Sequence, residues 1–374
     1  MIMTTDVRNN NYINNRLIPA APKKERILAI DFARGFALIF VVVIHILDLL
    51  SAEAVQNSLF ARIIYTIGRL IGAPVFVFLM GVSLSFSTRA TVKKGIDRGI
   101  HILIIAYILN FMRGTLPTLS GLQFCGLGKE DIGQYTPLFL LKEVDILQFA
   151  GVALILLVLI KNYLKKWFLW LLLGFITVFA FPSVQGVQSG FTPVDIVLDL
   201  IWGTDKYVYF PVLPWIVYPL FGMVYGHLLK QAPKKPAFFI QSALVGLVIV
   251  AAATPWFFLD PDFEAGNLHS SFFLFRMSTP GIIWYSGMIC IWLMICYQLT
   301  VKIPGNPVFK RIYLWSNNVT SFYFIQWVLL GWISLVMIDI SLIPTVILMI
   351  VMLFLTDRLT LLWNNYQTWR HKKS

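Results

Sequence analysis

The sequence predicts an all-α, polytopic integral membrane protein of about ten transmembrane helices with both termini in the cytoplasm. Three observations carry that prediction. Of 374 residues, 58% are hydrophobic and only 13% charged, about half the charged share of an ordinary soluble domain. Apolar runs recur at lengths that suit a bilayer, which takes about 20 residues of helix at roughly 1.5 Å each. Most of the 30 lysines and arginines fall in alternate connections, on the side of Arg8, Arg16, Lys23, Lys24 and Arg26, as the positive-inside rule requires. The formal charge of +12 is therefore a signature of orientation, and nucleic-acid binding is excluded.

Residues 1–27, with "NNNYINN", are polar and read as a disordered cytoplasmic tail. A single transmembrane domain is expected over 28–360, followed by a basic cytoplasmic tail over 361–374. The small residues "SAEA" at 51–54 follow an apolar run as in a cleaved leader, but the long polar lead-in argues against one. Candidate spans lie near 28–50, 60–86, 99–112, 143–160, 166–182, 208–229, 237–258, 281–299, 318–337 and 341–360. The second contains Gly72, Ala73 and Pro74, so it is either an interfacial helix followed by a span or one kinked helix. The third is short and is expected to extend at one end. Pro211, Pro214 and Pro219 begin or kink the sixth, where Gly222 and Gly226 make a small-xxx-small face suited to close helix packing. The outer connections 113–142, 183–207 and 259–280 are long and offer material for contacts beyond the membrane. Cys125, Cys290 and Cys296 imply no disulfide framework. His101 and His227 have no carboxylate or cysteine at ligand spacing, so no metal site is predicted.

The first span, "AIDFARGFALIFVVVIHILDLL", carries four ionisable residues where each costs several kcal/mol. At about 100° per residue, Asp31, Arg34, His45 and Asp48 fall within an arc of roughly 100° on one face. Arg34 and His45 are three turns apart, about 16 Å along the axis. One helix thus carries a cation near the cytoplasmic entrance and an imidazole in its outer half. The plainer account makes Asp31 and Arg34 a headgroup ion pair and lets His45 and Asp48 satisfy each other. Intramembrane charges more often mark a pathway or a reaction site.

"IDFARGFALIFVVVIH" resembles the first span of the transmembrane acyltransferase superfamily, which includes the membrane-bound type-three acyltransferases and the heparan-alpha-glucosaminide N-acetyltransferase family. The shared pattern is an arginine, ten residues and a histidine, here Arg34 and His45, with Asp31 before and Gly35 after. "GAPVFVFLMGVSLSFS" at 72–87 is similar to the second-span motif. "EVDILQFAGVAL" at 143–154 and "FPVLPWIVYPLFGMVYG" at 210–226 resemble the heparan-alpha-glucosaminide branch and its bacterial relatives. Two departures stand out: "SFYFIQW" at 321–327 has Gln326 where many relatives place a second histidine, and His45 stands where human-type heparan enzymes tend to carry asparagine.

Acyl transfer from a thioester needs a base near neutral pKa, and histidine is poised there. His45 is the expected base, with Asp48 or Asp145 holding its other nitrogen. An acyl-histidine intermediate is the other open route. The resemblance implies acyl-CoA as donor, by default acetyl-CoA, whose phosphates would meet Arg34 and some of Arg89, Lys93, Lys94 and Arg98. A sugar or envelope-glycan acceptor would arrive from outside, near Arg69, Asn110, Arg113, Glu143 and Gln148, with Tyr323 and Gln326 on the late span. The expected setting is the cell membrane with its lipids, and the resemblance allows a homodimer. The competing class is a proton-coupled transporter or flippase of an anionic or glycan solute, without acyl transfer.

Overall fold

The computed structural model describes residues 27–87, 91–260 and 278–373. Over these residues the regular secondary structure is helical, with two isolated bridges besides. Eight of the described helices are long and apolar enough to cross a membrane. Two shorter apolar helices, Trp167–Ser183 and Val319–Ile333, occupy the places of the expected fifth and ninth spans.

The helices that position the site are α1 (Leu28–Leu50), α2 (Leu59–Ile71), α3 (Ala73–Phe86), α4 (Val92–Asn110), α5 (Leu116–Phe124) and α6 (Ile146–Tyr163). They are followed by α7 (Trp167–Ala180), α8 (Thr192–Trp202), α9 (Val217–Gln231) and α10 (Lys235–Phe258). The last four are α11 (Thr279–Lys302), α12 (Pro307–Asn317), α13 (Val319–Ile333) and α14 (Leu342–Lys373).

The second expected span is two helices broken at Gly72, with Pro74 in the first turn of α3, where its missing N–H breaks no helical bond. The third span grows at both ends. It starts at Val92, where the Thr91 side chain accepts from the Lys94 amide, and it runs through a π-turn at Phe111–Thr115 directly into α5. Much of what reads as an outer loop is therefore helix. Hydropathy stops at Asn110 and Arg113, but both are buried and paired, so their polarity does not end the helix. At the other end of the chain α14 continues unbroken past residue 360 to Lys373, so the basic tail is an extension of the last span.

α1 is the spine of the bundle and packs against α2, α3, α11, α12, α13 and α14. Gly35 lets α12 come so close that a Cβ there would lie 2.1 Å from the Ile312 carbonyl oxygen. α3 and α9 are pressed together in the same way. A Cβ on Gly81 would meet the Pro219 oxygen at 1.9 Å, and one on Gly222 the Phe78 oxygen at 2.0 Å. Backbone opposes backbone there, so a side chain must push the helices apart. Gly222→Leu is expected to destabilise the protein by about 1–3 kcal/mol, seen as a lower thermal unfolding midpoint in detergent, whereas Leu244→Ala on the exposed face of α10 leaves that midpoint nearly unchanged.

Candidate active site

Asp145 opens α6. Its Oδ1 accepts from the Ile146 amide at 2.7 Å, and its own amide donates to Gln148 Oε1 at 3.1 Å, a reciprocal capping box that satisfies helix-end donors and suits a negative charge. The second oxygen faces inward and accepts from Arg113 Nη1 at 2.7 Å and from the Tyr323 hydroxyl at 2.8 Å. Arg113 Nη2 donates to Glu143 Oε2 at 3.0 Å. The π-turn that carries Arg113 widens the helix by one residue, a device common at functional sites. All three charged side chains are buried. Asn110 ties this corner to the backbone, its Nδ2 donating to the carbonyls of Leu141 and Glu143.

Trp327 joins this cluster to the first span. The Arg113 guanidinium sits over its indole at 4.2 Å, and the His45 ring lies 4.1 Å from the same indole. Tyr323 meets His45 edge-on at 6.5 Å, and Gln326 lies beside the imidazole. His45 therefore faces the bundle interior. Its Nδ1 is wholly buried and meets no hydrogen-bond partner among the described residues, so neither Asp48 nor Asp145 holds that nitrogen. Asp48 accepts instead from the Tyr65 hydroxyl, and Asp145 is committed to Arg113 and Tyr323.

A cavity of about 600 Å³ opens between α1, α3, α4, α6, the end of α12, α13 and the end of α14. Arg34, Lys94 and Arg98 line it, with Ser83, Ser87, Asn318, Asn364 and Gln367 among the polar groups. Arg34 donates to Ser83 Oγ and to the Leu79 carbonyl, and its Nη1 lies 3.7 Å from Asp31. The wall formed by α6 runs from Val158 through Leu154 and Ala150 to Leu147, eleven residues or about 16 Å of helix. Leu147 stands two residues from Asp145. On α13 the lining ends at Ser321, about two turns short of Trp327. The cavity thus begins among cations at the end of the bundle that carries the basic connections, and it stops just before the buried cluster and His45.

Residues 26–256 match the heparan-alpha-glucosaminide N-acetyltransferase catalytic family. The chain belongs to that family. It is accordingly a membrane-bound, acetyl-CoA-dependent acetyltransferase, and transport without chemistry is set aside. No individual curated protein matches it.

In this acetyltransferase the expected donor-binding residues divide. Arg34, Lys94 and Arg98 line the cavity, Lys93 does not, and Arg89 lies outside the described residues. The expected acceptor residues divide too. Arg113, Glu143, Asn110, Gln148 and Tyr323 form one cluster around Asp145, whereas Arg69 is buried in a separate group with Asp48, Tyr65 and Tyr285. Among the described residues no group of three His, Cys, Asp or Glu side chains is placed to hold a metal ion.

Trp327 is not among the residues that the sequence singled out. Its spacing carried the signal, because Tyr323, Gln326 and Trp327 stand at i, i+3 and i+4 on one face. The "DILQ" at 145–148 likewise has a capping-box pattern that marks where α6 starts. Removing one partner from a buried ion cluster leaves uncompensated charge, so Arg113→Leu is expected to lose about 3–5 kcal/mol. Tyr323→Phe should lose about 1.5–3 kcal/mol, the range for a hydrogen bond to a charged group. Denaturant titration in detergent micelles ranks the two.

Proposed function

We propose that this protein takes an acetyl group from acetyl-CoA on the cytoplasmic side of the membrane and passes it to a hydroxyl or amine of a sugar or envelope glycan on the outer side. In this scheme the eight long and two short apolar helices all cross, both termini are cytoplasmic, and 28–360 acts as one transmembrane domain in the cell membrane. The cavity is the observation that carries the proposal. Its cationic end suits the phosphates of coenzyme A, and its serine- and methyl-lined wall suits a narrow arm about 16 Å long. The volume lies within the usual range for small-molecule sites, about 300–1,000 Å³. The positive-inside distribution supports a cytoplasmic position for the cationic end.

The roles follow from placement. Arg34, Lys94 and Arg98 hold phosphate oxygens, and Arg89 and Lys93 of the same connection add to the attracting field. The thioester passes up the cavity to His45, which takes the proton of the attacking hydroxyl or amine. The Asp145 cluster shapes the far side, where Gln148 Nε2, buried and unpaired, is a ready donor to a polar acceptor. Arg69 with Asp48 and Tyr65 borders the outer approach.

Purified protein mixed with acetyl-CoA and amino sugars should release free thiol only when an acceptor is present. His45→Ala should lower that turnover by about 10²–10⁴-fold, the usual contribution of a positioned base. Replacing Lys94 and Arg98 together by alanine should raise KM for acetyl-CoA at least about tenfold, roughly 1.4 kcal/mol of lost binding, with kcat little changed. Thiol release indifferent to both sets of variants would refute the assignment.

A further inference from the structure

Buried polar groups in folded proteins are nearly always hydrogen-bonded. Around His45 that rule fails several times at once. Both amide atoms of Gln326, a residue with 0% exposure, make no well-formed hydrogen bond, and neither do Trp327 Nε1 and His45 Nδ1; Gln326 has only a loose contact with the imidazole, and Trp327 one with the Tyr323 hydroxyl. The surrounding groups are already engaged. The Tyr323 hydroxyl and Arg113 Nη1 both go to Asp145, and Arg113 Nη2 goes to Glu143. What remains beside the imidazole is two N–H donors without a well-formed hydrogen bond, on adjacent residues of one helix. Trp327 lies only about 9 Å along α13 from Ser321, where the cavity lining ends.

We propose that Gln326 Nε2–H and Trp327 Nε1–H are the donors that receive the acetyl carbonyl oxygen and stabilise the oxyanion formed next to His45. The proposal rests on His45 being the base, as above. In the step, the acceptor nitrogen or oxygen bonds to the thioester carbonyl carbon and His45 takes the proton. The carbonyl π electrons move onto oxygen, which the two N–H groups hold. When the carbonyl re-forms, the C–S bond breaks, and the coenzyme A sulfur leaves with the electron pair and takes the proton back from His45. Donors without a well-formed hydrogen bond in the resting protein have little to surrender when the oxyanion appears, and such preorganisation makes oxyanion sites effective. The Arg113 cation over the indole face draws electron density from the ring and strengthens its N–H as a donor.

Two variants test this in the thiol-release assay, with thermal unfolding measured alongside. Gln326→Leu keeps the volume and removes the amide. It should lower kcat by about 10²–10³-fold, the usual cost of one oxyanion donor, with KM for acetyl-CoA within about threefold of wild type. Its unfolding midpoint should hold or rise, because an unpaired buried amide is a liability to the fold. Trp327→Phe keeps a ring against His45 but loses the N–H, and should lower kcat at least about tenfold. Two variants that both turn over within about threefold of wild type would overturn the assignment. So would a Gln326→Leu midpoint that falls in step with activity, the mark of a structural amide. Full turnover by His45→Ala would instead defeat the underlying role of His45, a result separable from either.

Discussion

Arg113, held between Glu143 and Asp145 inside the bundle, is the interaction on which the rest of the structure depends. A lone guanidinium in a low-dielectric interior is prohibitively costly, and so are two lone carboxylates. Together they are tolerable only in close contact, and the contact joins separate parts of the chain. It carries the third span on as helix past its polar residues and seats Asp145 at the start of α6. It also draws α13 so near that a Cβ on Gly331 would lie 1.8 Å from the Arg113 carbonyl oxygen. Tyr323 and Trp327 are placed as a result, and through Trp327 so is the His45 ring.

The two halves of the site are built on opposite principles. At the basic end, Arg34, Lys94 and Arg98 line an open cavity whose serine and asparagine groups can exchange partners with a ligand. At the far end, charges are sealed against each other and movement is expensive. A long, flexible cosubstrate needs the first kind of environment at its phosphates. A reacting carbonyl needs the second, where the geometry is set before the substrate arrives. α1 spans both, carrying Arg34 in one and His45 beside the other. Its packing against six neighbouring helices keeps that spacing constant.

The match to the acetyltransferase family ends within α10, yet later helices contribute to the candidate site. Tyr323, Gln326 and Trp327 come from α13, and Asn364 and Gln367 on the extended α14 line the mouth of the cavity.

The membrane-spanning class, the approximate places of the spans and the inward-facing stripe that carries Arg34 and His45 were legible in the sequence. Apolar run length, the side on which lysines fall and the 3.6-residue period are local quantities that need no knowledge of neighbours. The π-turn at Phe111–Thr115, the partners of Asp48 and Asp145 and the contacts of Trp327 with Arg113 and His45 were not. A polar residue in a span reads the same whether it ends the helix or finds a counter-charge from a segment 30 residues away. Only packing determines which oxygen meets which donor. By itself the sequence determined where the costly groups lie, because cost depends on residue type and depth. The tertiary structure alone decided which of them neutralise each other and which are left unpaired, because that depends on distances between helices that no single helix encodes.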